Sequence, residues 1–435
     1  MFVKRLQLAL IHTAIAITLV PINSTLNRVM IKEMAISATL VAVLASLPYL
    51  FSPAQVAIGA FSDRHPIFGW RRTPYILIGL LLCVTGVSIA PQVVLLMESN
   101  WWAGLGLSML VFAAWGMGYN FSTVAYLSLA TELSGERGRS RTVAVMWFMM
   151  IVGIILTAAT LSRLLEPFSA ATLKVSFEYV GLAALVMGLL GLLGLERRHS
   201  AVNTAAAEDR TSWIDLGRQI LSAPQARGFF LYMIILLAAI LGQDVLLEPF
   251  GGEAFGLSVS ATTRITSIWG VCVLLAFVAA GLLEKRMRRQ TVARFSAWIA
   301  LVGFLIIAIS GLLHITWMFY LGVVLLGVGT GLSTVSNLAL MFDMTTTRVG
   351  LYMGAWGVSN ALARLVGNVT SGAVRDLITQ IGRDPVIGYV TVFLIQAGML
   401  LLSLRMLSNI DVQKFRQETT PLSASDKAAL MNDAG

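Results

Sequence analysis

Charge is scarce in this chain. Asp, Glu, Lys and Arg make up 12% of its 435 residues, while 57% are hydrophobic. A soluble protein of this size carries about twice that charge, so a soluble enzyme is excluded. Enzyme machinery is missing as well. There is no GxSxG elbow, no phosphate-cradling Walker loop, no HExxH and no paired Cys or His ligands. No catalytic residue or catalytic cofactor is expected. The two cysteines, Cys83 and Cys272, each fall inside an apolar run and make neither a disulfide framework nor a CxxC metal site. Long polar stretches are equally rare, and residues 196–226 are the one extended polar linker between apolar runs.

Apolar runs of 20 or more residues recur throughout. At about 1.5 Å per residue, such a run crosses the roughly 30 Å hydrocarbon layer as a helix. Twelve spans are expected, at 6–29, 36–61, 74–96, 101–131, 142–165, 175–195, 227–248, 262–283, 292–313, 316–342, 350–376 and 386–407. The first follows a basic start and continues through Leu26 with no small-residue cleavage site, which reads as an uncleaved span. An even number of spans puts both termini on one side. That side, with the loops at 62–73, 132–141, 196–226, 284–294 and 343–349 and the adjoining span ends, carries 23 Lys and Arg against 7 on the other. The positive-inside rule therefore places both termini in the cytoplasm, and it accounts for the +9 net charge without a nucleic-acid partner.

An internal repeat supports the count. Residues 116–133, GMGYNFSTVAYLSLATEL, and 327–344, GVGTGLSTVSNLALMFDM, share seven identities in 18 positions at an offset of 211, and Glu132 faces Asp343. Each stretch is the fourth helix of a six-helix half, so the halves have the same topology. The division is 1–195 for the first half, 196–226 for a cytoplasmic linker, 227–407 for the second half and 408–435 for a cytoplasmic tail. In the linker, Trp213, Leu216, Ile220 and Leu221 fall on one helical face, either as an amphipathic helix on the membrane surface or as a linker touching the bundle.

The loop between spans 2 and 3, SDRHPIFGWRRTPY, is too polar for hydrocarbon and must lie at the membrane surface. Twelve spans in two like halves describe the major facilitator fold. The loop resembles that superfamily's motif at this position through Gly59, Asp63, Arg64, Gly69, Arg71 and Arg72, with Pro66-Ile67-Phe68 as an insertion. Gly59 permits close helix approach. Asp63 can sit against the positive N-terminal end of a neighbouring helix, which the superfamily resemblance makes the eleventh, near Gly350. The arginines can bridge to acids such as Glu132. Such a cytoplasmic latch would close that side and weaken when the halves rock apart; the plainer alternative is that these charges only set topology.

Within the membrane no carboxylate is clearly at mid-depth, because Asp244 and Glu248 fall near the far end of span 7. Arg364 is the exception, near the middle of span 11. Asn360 and Asn368 flank it at four-residue spacing on one face. A mid-membrane Arg faces a cavity or a partner. The stripe either lines a central cavity and holds the polar head of a lipid-like ligand, or joins a packing network through residues such as Asn337. Asn120 and Gln243 are further candidate ligand-binding residues with the same alternative of interhelical hydrogen bonding. No protein-bound metal site is expected. His12 is a candidate axial donor to a chlorophyll magnesium.

The loop SDRHPIFGWRRTPYI, with STLNRVMI, ERGRSRTVAVMW, EPFGGEAFGLSVSATT and VGLYMGAWGVSNALARLVGN, resembles the PucC family, the bacteriochlorophyll-delivery branch of the major facilitators, over most of residues 6 to 416. The resemblance implies an assembly factor in a photosynthetic membrane that binds or delivers chlorophyll or bacteriochlorophyll as cargo. It further implies light-harvesting or photosystem subunits as partners. The alternative is a secondary transporter or flippase of an amphipathic small molecule.

Overall fold

The computed structural model describes residues 2–196, 224–284, 286–344 and 349–410. Among these the chain is helical throughout, apart from one two-residue bridge between Ile67 and Trp70. Twelve rods follow the expected order. Ten are long and apolar enough to cross a membrane: Phe2–Glu33, Thr73–Ser99, Trp101–Gly135, Arg141–Leu164, Ala170–Leu192, Pro224–Leu241, Val259–Leu283, Arg289–Leu313, Thr316–Phe342 and Pro385–Ser408. They are spans 1, 3 to 10 and 12. Span 2 is split into Ala38–Leu50 and Ala54–Arg64, and span 11 is Val349–Gly382. Span 2 is broken near Pro48 and Pro53, which cannot donate a helical hydrogen bond. Span 11 is diluted by its polar face. The linker with its proposed amphipathic face, and the tail beyond 410, lie outside the described residues.

The spans begin where short polar side chains can take an orphan N–H. Ser37, Asn100, Ser169, Ser258 and Asp384 each accept a backbone N–H of the first turn that follows. Spans 4 and 5 run on from one another and turn at Gly135, whose φ of 61° breaks the helical path. Span 1 does not end as an ordinary helix. Pro21 removes a donor, and the chain winds in wide π turns over Pro21–Leu26 and Val29–Glu33.

The two halves repeat the same packing. Span 3 packs against spans 4 and 6, and span 9 packs against spans 10 and 12. Across the molecule, span 2 lies on span 11 and span 8 lies on span 5, so each half lends its second and fifth helices to the seam. This is the major facilitator arrangement expected from the repeat. Spans 7 and 11 come close at two glycines. A Cβ on Gly242 would lie 3.0 Å from the Gly367 backbone, and one on Gly367 would lie 2.8 Å from the Ala238 carbonyl oxygen.

Gly367→Val should therefore force these helices apart and destabilise the protein by about 1–3 kcal/mol or more. Thermal unfolding in detergent checks this. Gly106→Ala, where a Cβ meets nothing within 4 Å, should not lower the midpoint.

Candidate functional site

Arg364 lies 15 residues into span 11, about 23 Å along it, and so near the middle of the membrane. Val358, Leu362 and Val366 form an exposed apolar stripe on the same helix. Arg364 is two residues on from Leu362, about 200° around, and faces the bundle. Its Nη1 donates to Asp244 Oδ2 at 2.7 Å. Its guanidinium lies 5.5 Å from the centre of the Tyr49 ring of span 2. Both side chains stay partly accessible, 29% for Arg364 and 24% for Asp244, despite their depth. The pair faces the first half at the Tyr49 ring.

The expectation of no acid at mid-depth is corrected here. Span 7 does not continue to residue 248. Its helix stops at Leu241, the chain turns through Gly242–Leu246, and a short helix Leu247–Phe255 follows. The break holds Asp244 opposite Arg364, and the Gly242–Gly367 crossing sets the distance. Gly242 after an apolar run was the available signal, since glycine commonly ends a helix.

The asparagines divide. Asn120 is not free to bind a ligand: its Nδ2 donates to Pro48 O at 2.9 Å and Gly116 O at 2.8 Å, and its Oδ1 accepts from Gln55 Nε2 at 2.5 Å. It serves a carbonyl left over by the break in span 2. Asn337 is likewise occupied, donating to Ser333 O and Oγ and accepting from Tyr232 Oη at 2.7 Å. That hydrogen-bond set does not include Arg364. Gln243 donates to Asp244 Oδ1 at 3.0 Å and stays with the central pair, and its buried Oε1 has no partner. Asn360 donates to Trp356 O at 3.1 Å. Asn368 reaches across the seam to Ser46 Oγ at 3.3 Å, leaving its buried Oδ1 without a partner. His12 is enclosed between Tyr126 and Trp147, with ring centres at 5.2 and 6.5 Å, and a macrocycle over it would require one of those rings to move.

The loop of residues 62–75 folds onto its own half. Arg72 pairs with Glu132 at 2.9 Å and donates to Ser62 Oγ at 2.7 Å. Glu196, at the end of span 6, accepts the backbone N–H groups of Arg71, Arg72 and Thr73 at 2.7 to 3.2 Å, a carboxylate at the start of span 3. Sequence reasoning missed Glu196 because nothing local ties it to residue 72. A Cβ on Gly59 would lie 3.2 Å from Val124 of span 4. Arg64 is exposed, and Phe68 and Gly69 form the tip with φ of 52° and 82°. The Arg72–Glu132 bridge lies within the first half, so it does not weaken when the halves part, which corrects its role as a closing contact. The Asp63 side chain and the residues around Gly350 lie outside the described side chains.

Among the described residues, hydrogen bonds between the halves gather on the side away from the basic loops. Arg28, buried in span 1, donates to Glu33 at 2.6 Å and to Leu257 O at 2.9 Å, and Lys32 donates to Gly252 O at 2.5 Å. Glu253 pairs with Arg375 at 2.9 Å and accepts from Tyr389 Oη at 3.1 Å. Burial raises the Glu253 carboxyl above its ordinary range, and the Arg375 charge works against that rise. Asp376 accepts the N–H groups of Ala38 and Thr39 at the start of span 2. Thr25 meets Thr263, and Ser162 and Glu166 meet Ser260. A Cβ on Gly252 would lie 2.8 Å from Arg28 Cζ, so the glycine seats the guanidinium. Between described residues, every hydrogen bond joining the halves falls at the level of Asn368 and Ile155 or farther from the basic side.

Removing one member of the central pair leaves the other unmatched, at about 3 kcal/mol or more. Arg364→Gln and Asp244→Asn should each lower the unfolding midpoint, and the double variant should cost less than the sum of the two. Strict additivity in a double-mutant cycle would show that the two charges do not interact.

The family model described as PUCC protein matches residues 25–415. Protein PucC of Cereibacter sphaeroides is 31% identical over 420 residues, covering 92% of this chain and 90% of that protein. The bacteriochlorophyll synthase 44.5 kDa chain of Rhodobacter capsulatus is 28% identical over 383 residues, covering 86% and 87%. Among solved structures, a point mutant of the nucleoside transporter NupG superposes with a TM-score of 0.73 at 16% identity, over 94% of this chain and 99% of that chain. A bacterial homolog of the human lysosomal transporter Spinster superposes with a TM-score of 0.70 at 13% identity, over 96% and 98%. The solved structures show the fold, and the family match and curated relatives show the kinship: this integral membrane protein of the major facilitator fold belongs to the PUCC protein family.

Proposed function

We propose that the chain is an assembly factor for photosynthetic pigment–protein complexes, binding or delivering chlorophyll or bacteriochlorophyll, nascent antenna polypeptides, or both. The observation that carries this reading is the central pair. Arg364 and Asp244 give a partly accessible polar contact at the centre of a largely apolar bundle. A pigment handler needs an apolar lumen with a few polar anchors of that kind. Family membership supports it, as does one relative named as a chain of bacteriochlorophyll synthase. In this reading the pigment is cargo and the chain catalyses nothing. Its partners are light-harvesting or photosystem subunits and membrane lipid, and both termini face the cytoplasm of a photosynthetic membrane.

A second reading, a transporter or flippase of an amphipathic small molecule, is favoured by one specific observation. Among the described residues, the bonds that join the halves cluster at one side, which suits a molecule able to open and close at alternate ends.

Purification in mild detergent, followed by absorption spectroscopy and mass analysis of associated proteins, separates the two. The expected result is stoichiometric pigment or co-purified antenna subunits, with the pigment reduced several-fold in Arg364→Ala. A colourless, partner-free protein that takes up a ligand down its gradient in liposomes would overturn the assembly reading.

A further inference from the structure

We infer that the central site takes a ligand ending in a free carboxylate, and that Asp244 occupies the place of that carboxylate until the ligand arrives. This rests on the pigment-handling reading and narrows it to a class of cargo. Arg364 makes one side-chain hydrogen bond, from Nη1 to Asp244 Oδ2. The remaining N–H groups of its guanidinium make none with a described residue, and the side chain is 29% accessible. A guanidinium with open donors at mid-membrane is matched by an acceptor that brings charge. A planar carboxylate fits its fork with two parallel bonds.

Asp244 fills that role incompletely. It touches Arg364 through one oxygen, and its other oxygen is taken by Gln243 Nε2 at 3.0 Å. A ligand carboxylate engaging two donors makes one bond more than the residue it displaces. Tyr49 lies over the guanidinium, so that face is covered and the ligand enters along the edge. Asp244 sits in the turn Gly242–Leu246 rather than inside a helix, so it can withdraw without unwinding a span while keeping its bond from Gln243, and a proton entering with the ligand keeps two carboxylates and one guanidinium neutral together. Chlorophyll-type macrocycles exist as free acids and as esters of long alcohols. The open donors of Arg364 favour the free acid, whose carboxylate can accept two of them; the ester has no such group.

Titration of the detergent-purified full-length protein with chlorophyllide and with its methyl ester, read by quenching of tryptophan fluorescence, tests this. Wild type should bind the free acid at least tenfold tighter than the ester. Asp244→Asn should tighten free-acid binding several-fold, because the competitor has lost its charge. Arg364→Gln should abolish the preference for the acid. If Arg364→Gln does not fold, the double variant with Asp244→Asn, which buries no unmatched charge, should likewise show no preference. Equal binding of acid and ester by wild type would overturn the carboxylate inference alone. So would a preference that survives the loss of Arg364, or an Asp244→Asn variant that weakens acid binding. Binding of neither compound by the folded wild type would overturn the pigment reading itself.

Discussion

An arginine at the middle of a membrane helix must have a counter-charge, and Arg364 has one because span 7 breaks. The pairing depends on backbone geometry more than on the two side chains. Gly242 and Gly367 let spans 7 and 11 touch along their backbones, and the touch brings the Gly242–Leu246 turn level with the guanidinium. A side chain at either glycine would separate the helices and leave a charge in a low-dielectric interior with nothing to offset it. In hydrocarbon there is no water to make up the difference, so the break in one span and the charge in the other stand or fall together.

The same turn links the centre of the molecule to its far side. Three residues after Asp244 begins the short helix Leu247–Phe255, whose Gly252 carbonyl holds Lys32 and whose Glu253 holds Arg375. The arrangement explains why two distant strings of the sequence belong to one unit. STLNRVMI ends span 1 in π turns and carries Thr25 and Arg28, with Lys32 just beyond it; EPFGGEAFGLSVSATT supplies the carbonyls that Arg28 and Lys32 meet and the Thr263 hydroxyl that meets Thr25. Glycine at 252 is a packing requirement of the buried guanidinium beside it. On the basic side, the polar contacts between described residues include Arg72 with Glu132 and Glu196 in the first half and Arg289 with Glu284 and the Ala339 carbonyl in the second.

Twelve spans, their order, the repeat of two halves and the membrane setting were legible in the chain itself. Hydrocarbon imposes a length and a hydropathy on each crossing, and a duplicated half leaves seven shared positions at a fixed offset. The depth of Arg364 and its face on span 11 were legible for the same reason: a lone charge among apolar residues at helical spacing stands out. Tertiary structure alone decided which polar residues are spent and which are open. Asn120 and Asn337 read like Asn360 in the sequence, yet the first two are saturated by carbonyls, hydroxyls and amides on neighbouring helices. Asp244 looked peripheral because a straight helix was assumed, and a break moves a residue in depth without changing its place in the chain. Periodicity reports the face of one helix; which partner meets that face depends on how twelve helices cross.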